Sequence, residues 1–443
     1  MKLSYKKTIY VGLIFFSISL FWQVYDSIIP KLLKNDFNFN KSLTGIIMAL
    51  DNIIALFMLP LFGHLSDKTK TKWGRRTPYI VCGTILAVIT FIFVGLFADS
   101  KNLAGFLITL GFVLIFMSIY RSPAVALMPD VTVKPLRSKA NAIINLLGAL
   151  GGLLSLGSIA FLYKGDTNIL PLFAVICGVM LIALVLYLLL VKEPFYVEQM
   201  QADKLKYKIS DENEITETIH TKMEKAKLKS LILLLVSVFL WFMAYNSVTT
   251  FFSLYAEEVW GIANGEFTLP LMVAQVAAIA MFIPVGIVAS KIGRKKTILI
   301  GIITMAFAFF AAFIIGSNLF GINVDLSGGV FNSPIFYLMA LFFMLTGAGW
   351  ATINVNSYPM VVEMSKDSNA GKFTGYYYTA SMAGQILTPI LAGLVMDYVS
   401  NKLLFLYATI FITLAFVTMF FVKHGDSKPI PKDDKLENFD SAD

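Results

Sequence analysis

Twelve stretches of the chain are apolar over roughly 20 residues or more, the length a helix needs to cross hydrocarbon. They cover approximately residues 8–30, 43–64, 78–98, 104–129, 139–162, 169–191, 228–256, 267–290, 297–316, 335–362, 373–397 and 403–422. Backbone groups in lipid must be satisfied internally, which leaves helices or a closed barrel. Runs this long and unbroken read as helices, because barrel strands appear as short alternating segments. Composition agrees, with 57% of the 443 residues hydrophobic and 14% charged, against about a quarter charged in soluble domains. The expected fold is an all-α membrane protein of twelve transmembrane helices.

The first run follows Lys2, Lys6 and Lys7. It is too long for a signal-peptide core and lacks a small-residue cleavage site, so it reads as a retained helix. Cys82 and Cys177 fall inside apolar runs and are expected as free buried thiols. His64, His220 and His424 show no metal-ligand spacing.

A net charge of +8 could suggest nucleic acid, but its distribution points elsewhere. With the N-terminus inside, 29 of the 36 Lys and Arg lie on the inner side, and Arg121 lies within a helix. The outer side holds Lys31, Lys34, Lys41, Lys101, Lys164 and Lys402. This is the positive-inside pattern, which places both termini in the cytoplasm and makes the bilayer the macromolecular partner, with no nucleic acid.

Residues 192–227 mix Lys and Glu in balance and read as a solvated cytoplasmic loop. They divide the chain into six-helix bundles at 1–191 and 228–422, with a disordered cytoplasmic tail at 423–443. The halves repeat weakly. Tyr25-Asp26-Ser27 returns as Tyr245-Asn246-Ser247, and Gly74-Arg75 returns as Gly293-Arg294. Asp130 and Lys139 likewise correspond to Glu363 and Lys372. Three correspondences in order argue for two pseudo-symmetric halves.

The third, sixth, ninth and twelfth runs hold no interior charge and are expected to face lipid over most of their surface. The first, fourth, seventh and tenth hold Asp26, Arg121, Asn246, and Asn354 with Asn356. A central polar path lined by those four is the simplest reading.

The loop "GHLSDKTKTKWGRRT" and its shorter copy "GIVASKIGRKKT" resemble the signature of the major facilitator superfamily. The resemblance runs over essentially the whole chain. It implies a secondary active transporter working by alternating access, with Gly63, Asp67, Arg75 and Arg76 in gating. Gly63 would permit close helix approach, Asp67 would pair with a cation across the half interface, and the arginines would anchor at headgroups. Ser290 takes the place of the aspartate in the second copy.

"YRSPAVALMPDVTVKPLRSKANAIINLLGALGG" resembles the corresponding segment of sucrose-type and glycoside-pentoside-hexuronide cation symporters. The resemblance rests on Pro123, Ala126, Leu127, Asp130, Arg137 and Ala140 to Ala142. It implies sugar symport. The chain also departs from those families. Where plant sucrose transporters have an arginine five places before the helix 4 aspartate, it has Val125, with Arg121 one turn further out. Where sodium-coupled melibiose-type members have paired acids in helix 2, it has Ala55 and Leu59. Those members also place a sugar-contacting aspartate in helix 1, and Asp26 sits comparably.

From the run boundaries, Asp51 lies about 12 Å below the outer surface and Arg121 about 12 Å from the inner one. A lone charge near the midplane costs at least about 2.5 kcal/mol, so each needs a partner or water. They read either as a fixed ion pair or as a proton carrier and sugar ligand. Asp26, one turn from Pro30, reads either as a vestibule charge or as a sugar ligand that also shares the coupling role with Asp51. Around it, Trp22, Gln23, Tyr25, Tyr245 and Asn246, with Trp241, offer amides and aromatic faces to a sugar. Gln275, Asn354, Asn356, Tyr378 and Gln385 are further candidates, and helix-packing hydrogen bonds are the competing reading. Asp130 with Arg137 and Glu363 with Lys372 are expected as inner gate contacts or local caps.

The expected function is proton-coupled symport of a sucrose- or maltose-like glycoside in the cell membrane, by a monomer that carries no cofactor. Sodium coupling and proton-coupled export of drugs or metabolites are the alternatives. The chain has no Walker A pattern, nucleophile elbow or metal cluster, so an enzyme is not expected.

Overall fold

The computed structural model describes residues 3–133, 136–165, 168–207, 225–318, 324–364 and 370–425. Twelve helices among them are long and apolar enough to span a membrane. Six come first: α1 (Tyr5–Asn35), α2 (Lys41–Lys68), α3 (Thr77–Asp99), α4 (Leu103–Val131), α5 (Arg137–Leu162) and α6 (Leu170–Leu190). A shorter polar helix, α7 (Glu193–Lys206), follows inside the stretch read as a loop. Then come α8 (Lys225–Trp260), α9 (Thr268–Ile292), α10 (Arg294–Gly316), α11 (Pro334–Glu363), α12 (Ala370–Tyr398) and α13 (Leu404–Phe420). The rest of the central loop, 208–224, and the tail beyond 425 lie outside the described residues.

The helices outrun their apolar runs, most consequentially in α1. It continues through Pro30 to Asn35. A proline is tolerated in a spanning helix because the carbonyl it frees can find another donor there. Asp26 therefore stands nine residues from the helix end, about 14 Å at 1.5 Å per residue, and not one turn from it.

By internal contacts the chain forms two compact units: residues 1–39, 50–210 and 263–268, and residues 40–49, 211–262 and 269–443. In the first, α1 packs on α5 and α6, and α3 packs on α4 and α6. In the second, α8 packs on α12 and α13, and α10 on α11 and α13. The pairs correspond one to one, so the weak sequence repeat is a repeat of packing.

Each unit includes a short segment distant in sequence from its main body. In the first, Lys31 Nζ donates to Ala263 O at 3.1 Å, Gly265 N to Tyr163 O at 2.8 Å, and Thr268 Oγ1 to Leu156 O at 3.0 Å. In the second, the first turns of α2 lie against α12 so closely that a Cβ on Gly45 would fall 2.0 Å from Pro389 O. Asp397 caps α2 there, accepting from Lys41 N (3.0 Å), Ser42 N (2.6 Å) and Ser42 Oγ (2.6 Å). Lys41 Nζ meets Glu258 Oε2 at 2.8 Å. Lys31 and Lys41, which sequence alone places among outer-side charges, are thus buried and partnered.

The uncharged helices α3, α6, α10 and α13 leave half or more of their most apolar windows unburied, while α3 with α6 and α10 with α13 also pack on each other. One expectation changes. Cys177 is buried, but Cys82, on α3, is exposed.

Candidate functional site

In the first unit, α1, α2 and α4 bring Asp26, Asp51 and Arg121 within electrostatic reach of one another. Asn52 Nδ2 donates to Asp51 Oδ1 at 2.7 Å. Arg121 places its guanidinium carbon 5.9 Å from the centre of the Trp22 ring. Trp22 meets Tyr25 edge to face at 5.4 Å. Both carboxylates act electrostatically on the Tyr25 hydroxyl. The cluster is built from helix geometry, since Trp22, Tyr25 and Asp26 stand at i, i+3 and i+4 on one side of α1.

Two polar atoms of this cluster are buried with no hydrogen-bond partner among the described residues, Tyr25 OH and Trp22 Nε1. Buried polar groups are almost always paired, and unpaired ones in a functional cleft call for a ligand or water. The cluster thus offers two carboxylates, one guanidinium, one hydroxyl, one indole N–H and one aromatic face. Gln23 turns away from it and donates to Ser27 Oγ within its own helix at 3.2 Å.

In the second unit, the Tyr245 ring stacks on Trp350 with centroids 3.9 Å apart and planes 5° from parallel. Phe242 meets Trp350 edge to face at 5.3 Å. Asn246 donates back to Phe242 O at 2.9 Å. Asn356 Nδ2 donates to Thr352 O at 3.0 Å, while its buried Oδ1 has no partner among the described residues. Asn354 is also buried. Tyr378 is exposed and packs at 5.7 Å on Tyr377. Gln275 and Gln385 are half-buried on α9 and α12. Trp241, expected among the aromatic candidates, is fully buried in the packing of α8. Trp350 went unrecognised because an aromatic at helical spacing looks like core.

A second constellation sits where α2, α3, α4 and α7 meet. Asp130 accepts from Arg75 Nε (3.1 Å) and Nη2 (2.5 Å) and from Arg76 Nε (2.8 Å). Arg76 also reaches Asp67 Oδ1 at 2.5 Å, Ser66 Oγ at 2.5 Å and Gly63 O at 3.3 Å. Glu193 accepts from Arg75 N, Arg76 N, Thr77 N and Thr77 Oγ1 at 2.7 to 2.9 Å. These are the orphan amides at the start of α3, capped by a carboxylate from α7. Gly74 just before them has φ +106°, and a Cβ there would meet the Glu193 carboxylate at 2.2 Å. Glycine is required on both counts.

The partners differ from those expected. Arg75 and Arg76 bind carboxylates, and Asp67 pairs with Arg76 of its own unit. Arg137 donates to Thr132 O (3.2 Å) and Pro129 O (3.1 Å), closing the end of α4. In the repeat, Gly293 has φ +96° and Arg294 pairs with Glu363 at 2.7 Å. Lys372 stands over Tyr376 at 5.8 Å, and Ser290 donates to Ile287 O at 2.7 Å. Sequence proximity favoured Arg137 and Lys372, but an arginine arriving from another helix end presents a planar fork to the carboxylate. Glu193 carried no sequence signal that set it apart from other acids of the linker. Among the described residues, no group of three His, Cys, Asp or Glu could hold a metal ion.

The Major Facilitator Superfamily model matches residues 11–328 and 260–440, and the chain belongs to that family. It is a multi-pass membrane protein of that fold. A sucrose transport protein of Oryza sativa subsp. japonica is 26% identical over 185 residues, covering 38% of this chain. The match spans 33%, a third, of that protein's length. A lactose permease of Lactobacillus helveticus is 29% identical over 152 residues, 33% of this chain and 22% of that one. A solved nucleoside transporter superposes over 94% of this chain and 100% of its own, with a TM-score of 0.67 at 14% identity. At that identity the superposition reports the fold alone.

Proposed function

We propose that the chain carries a sugar or glycoside across the membrane together with a proton, using the cluster of Asp26, Asp51 and Arg121. The observation that carries this reading is that two carboxylates and one guanidinium lie within electrostatic reach of one another in the membrane-spanning helices, with Tyr25 OH and Trp22 Nε1 lacking a hydrogen-bond partner among the described residues. With all three charges present the cluster is net negative by one. A single proton neutralises it, which in a low-dielectric interior favours movement of the loaded site. Asp26 and Asp51 share that proton as one coupled pair. Arg121, Trp22 and Tyr25 hold the sugar: donors for its hydroxyls and an indole face for its apolar side. The partial similarity to a sucrose transport protein and a lactose permease supports a sugar over other solutes.

Ala55 and Leu59 leave the α2 face beyond Asp51 without the acids that a bound sodium ion would need. Alternating access then exposes the cluster to each side in turn, and the arginine–carboxylate constellations hold one state closed. Purified protein in vesicles tests the reading. Sugar added outside should alkalinise the medium in the absence of sodium, across a panel of mono- and disaccharides. Alkalinisation that requires sodium, or none with any sugar while another solute drives it, overturns it.

A further inference from the structure

A cavity of about 520 Å³ lies in the second unit where the start of α8 meets the end of α13. It is lined by Lys229, Lys423, His424 and Ser230 on the polar side, and by Ala226, Leu233 and Phe421 on the apolar side. Its volume falls within the range of small-ligand sites, roughly 300 to 1,000 Å³. No acid lines it. Its polar corner is braced: Ser230 Oγ bonds His424 Nδ1 at 2.8 Å and accepts from Lys423 N at 3.3 Å. The two lysine side chains that line it make no ion pair among the described residues. Lys295, nearby on α10, differs, since its Nζ donates to Phe420 O at 2.9 Å and so closes the end of α13.

The surrounding charge makes this arrangement costly without an anion. α8 opens with Lys225, Lys227 and Lys229 and has no acid in its first turn. α10 opens with Arg294, Lys295 and Lys296, also without one. Helix N-termini carry partial positive charge and are stabilised by anions, so lysines there add repulsion. Apolar walls beside the lysines and an exposed Phe421 point to a ligand with a hydrocarbon part. Basic pockets at the ends of spanning helices fit phosphate headgroups of anionic lipids.

We infer that this cavity binds the phosphate headgroup of an anionic phospholipid, with Lys229 and Lys423 on the phosphate and Leu233 and Phe421 on the upper acyl chains. The site is separate from the transport cluster and independent of what that cluster carries.

Spin-labelled phosphatidylglycerol and phosphatidylcholine, offered to the full chain in phosphatidylcholine vesicles, read the selectivity. The wild-type protein should prefer the anionic lipid, and Lys229→Gln with Lys423→Gln should reduce that preference by roughly fivefold per lysine. Lys229→Arg with Lys423→Arg should keep it, which separates charge from misfolding. Lys68→Gln with Lys70→Gln, an equal loss of charge at another loop, should leave it unchanged. Equal loss in that control pair, or no preference in the wild type, overturns the inference. Displacement of the labelled phosphatidylglycerol by millimolar inorganic phosphate would assign the cavity to free phosphate and overturn the lipid reading.

Discussion

The guanidinium of Arg121 lies over the indole of Trp22, 5.9 Å from the ring centre, so a cation and an aromatic face meet where two carboxylates also converge. A planar guanidinium can stack on the ring and still present donors along its edge, which an ammonium does not do. Arg121→Lys keeps the charge and loses the stack. Its apparent substrate constant in counterflow should rise about two- to thirtyfold, the range of a cation–π contact. An unchanged constant would show that only the charge matters.

Asp26→Asn and Asp51→Asn each remove one site from the shared proton. Sugar exchange between equal pools should survive, since it needs no net proton movement. Accumulation against a gradient should fall by about 5- to 150-fold, the span of a typical coupling free energy between two ligands. Parallel measurements of counterflow and of proton-driven uptake check this. Full accumulation in both variants would remove these residues from the coupling role.

Asp130 and Glu363 occupy repeat-related places with different burial. Asp130 is 12% exposed and holds two arginines, whereas Glu363 is 34% exposed and holds one. Asp130→Asn should destabilise the protein by about 3 kcal/mol, near the lower end for breaking a buried pair. Glu363→Gln should cost about 1 kcal/mol or less, as for solvated pairs. Thermal unfolding in detergent orders the two, and equal shifts would contradict the asymmetry.

Gly45 and Gly111 form a steric pair of opposites. A Cβ at Gly45 would lie 2.0 Å from a backbone oxygen of α12, while one at Gly111 would meet nothing within 4 Å. Gly45→Ala should cost about 1 to 3 kcal/mol, because a backbone cannot yield as a side chain does. Gly111→Ala should be neutral or stabilising by up to about 1 kcal/mol, through helix propensity. The same unfolding assay reads both.

The spans were legible in the sequence because hydrocarbon imposes one length and one polarity on every helix. Asp26, Asp51 and Arg121 stood out for the same reason, as charges where charge is expensive. What the sequence hid was depth and partnership. Pro30 looked like the end of α1, yet helix continues for five residues beyond it, so Asp26 lies far deeper than its flanks suggest. Asp130 finds Arg75 and Arg76 more than fifty positions away in place of Arg137, because pairing depends on which helix ends meet. Trp350 was invisible because stacking on Tyr245 leaves no trace in hydropathy.

Pro30 has a further effect on the site. Proline has no N–H, so the carbonyl four residues earlier loses its usual helical donor, and that carbonyl belongs to Asp26. Pro389 does the same to Gln385 in α12. Residue 26 therefore offers two acceptors of different character: a carboxylate whose charge follows pH, and a main-chain oxygen whose charge never changes. Recognition of a hydroxyl can rest on the second while the first is protonated and deprotonated through the cycle. A single residue can in this way keep hold of its cargo during the step that changes its own charge.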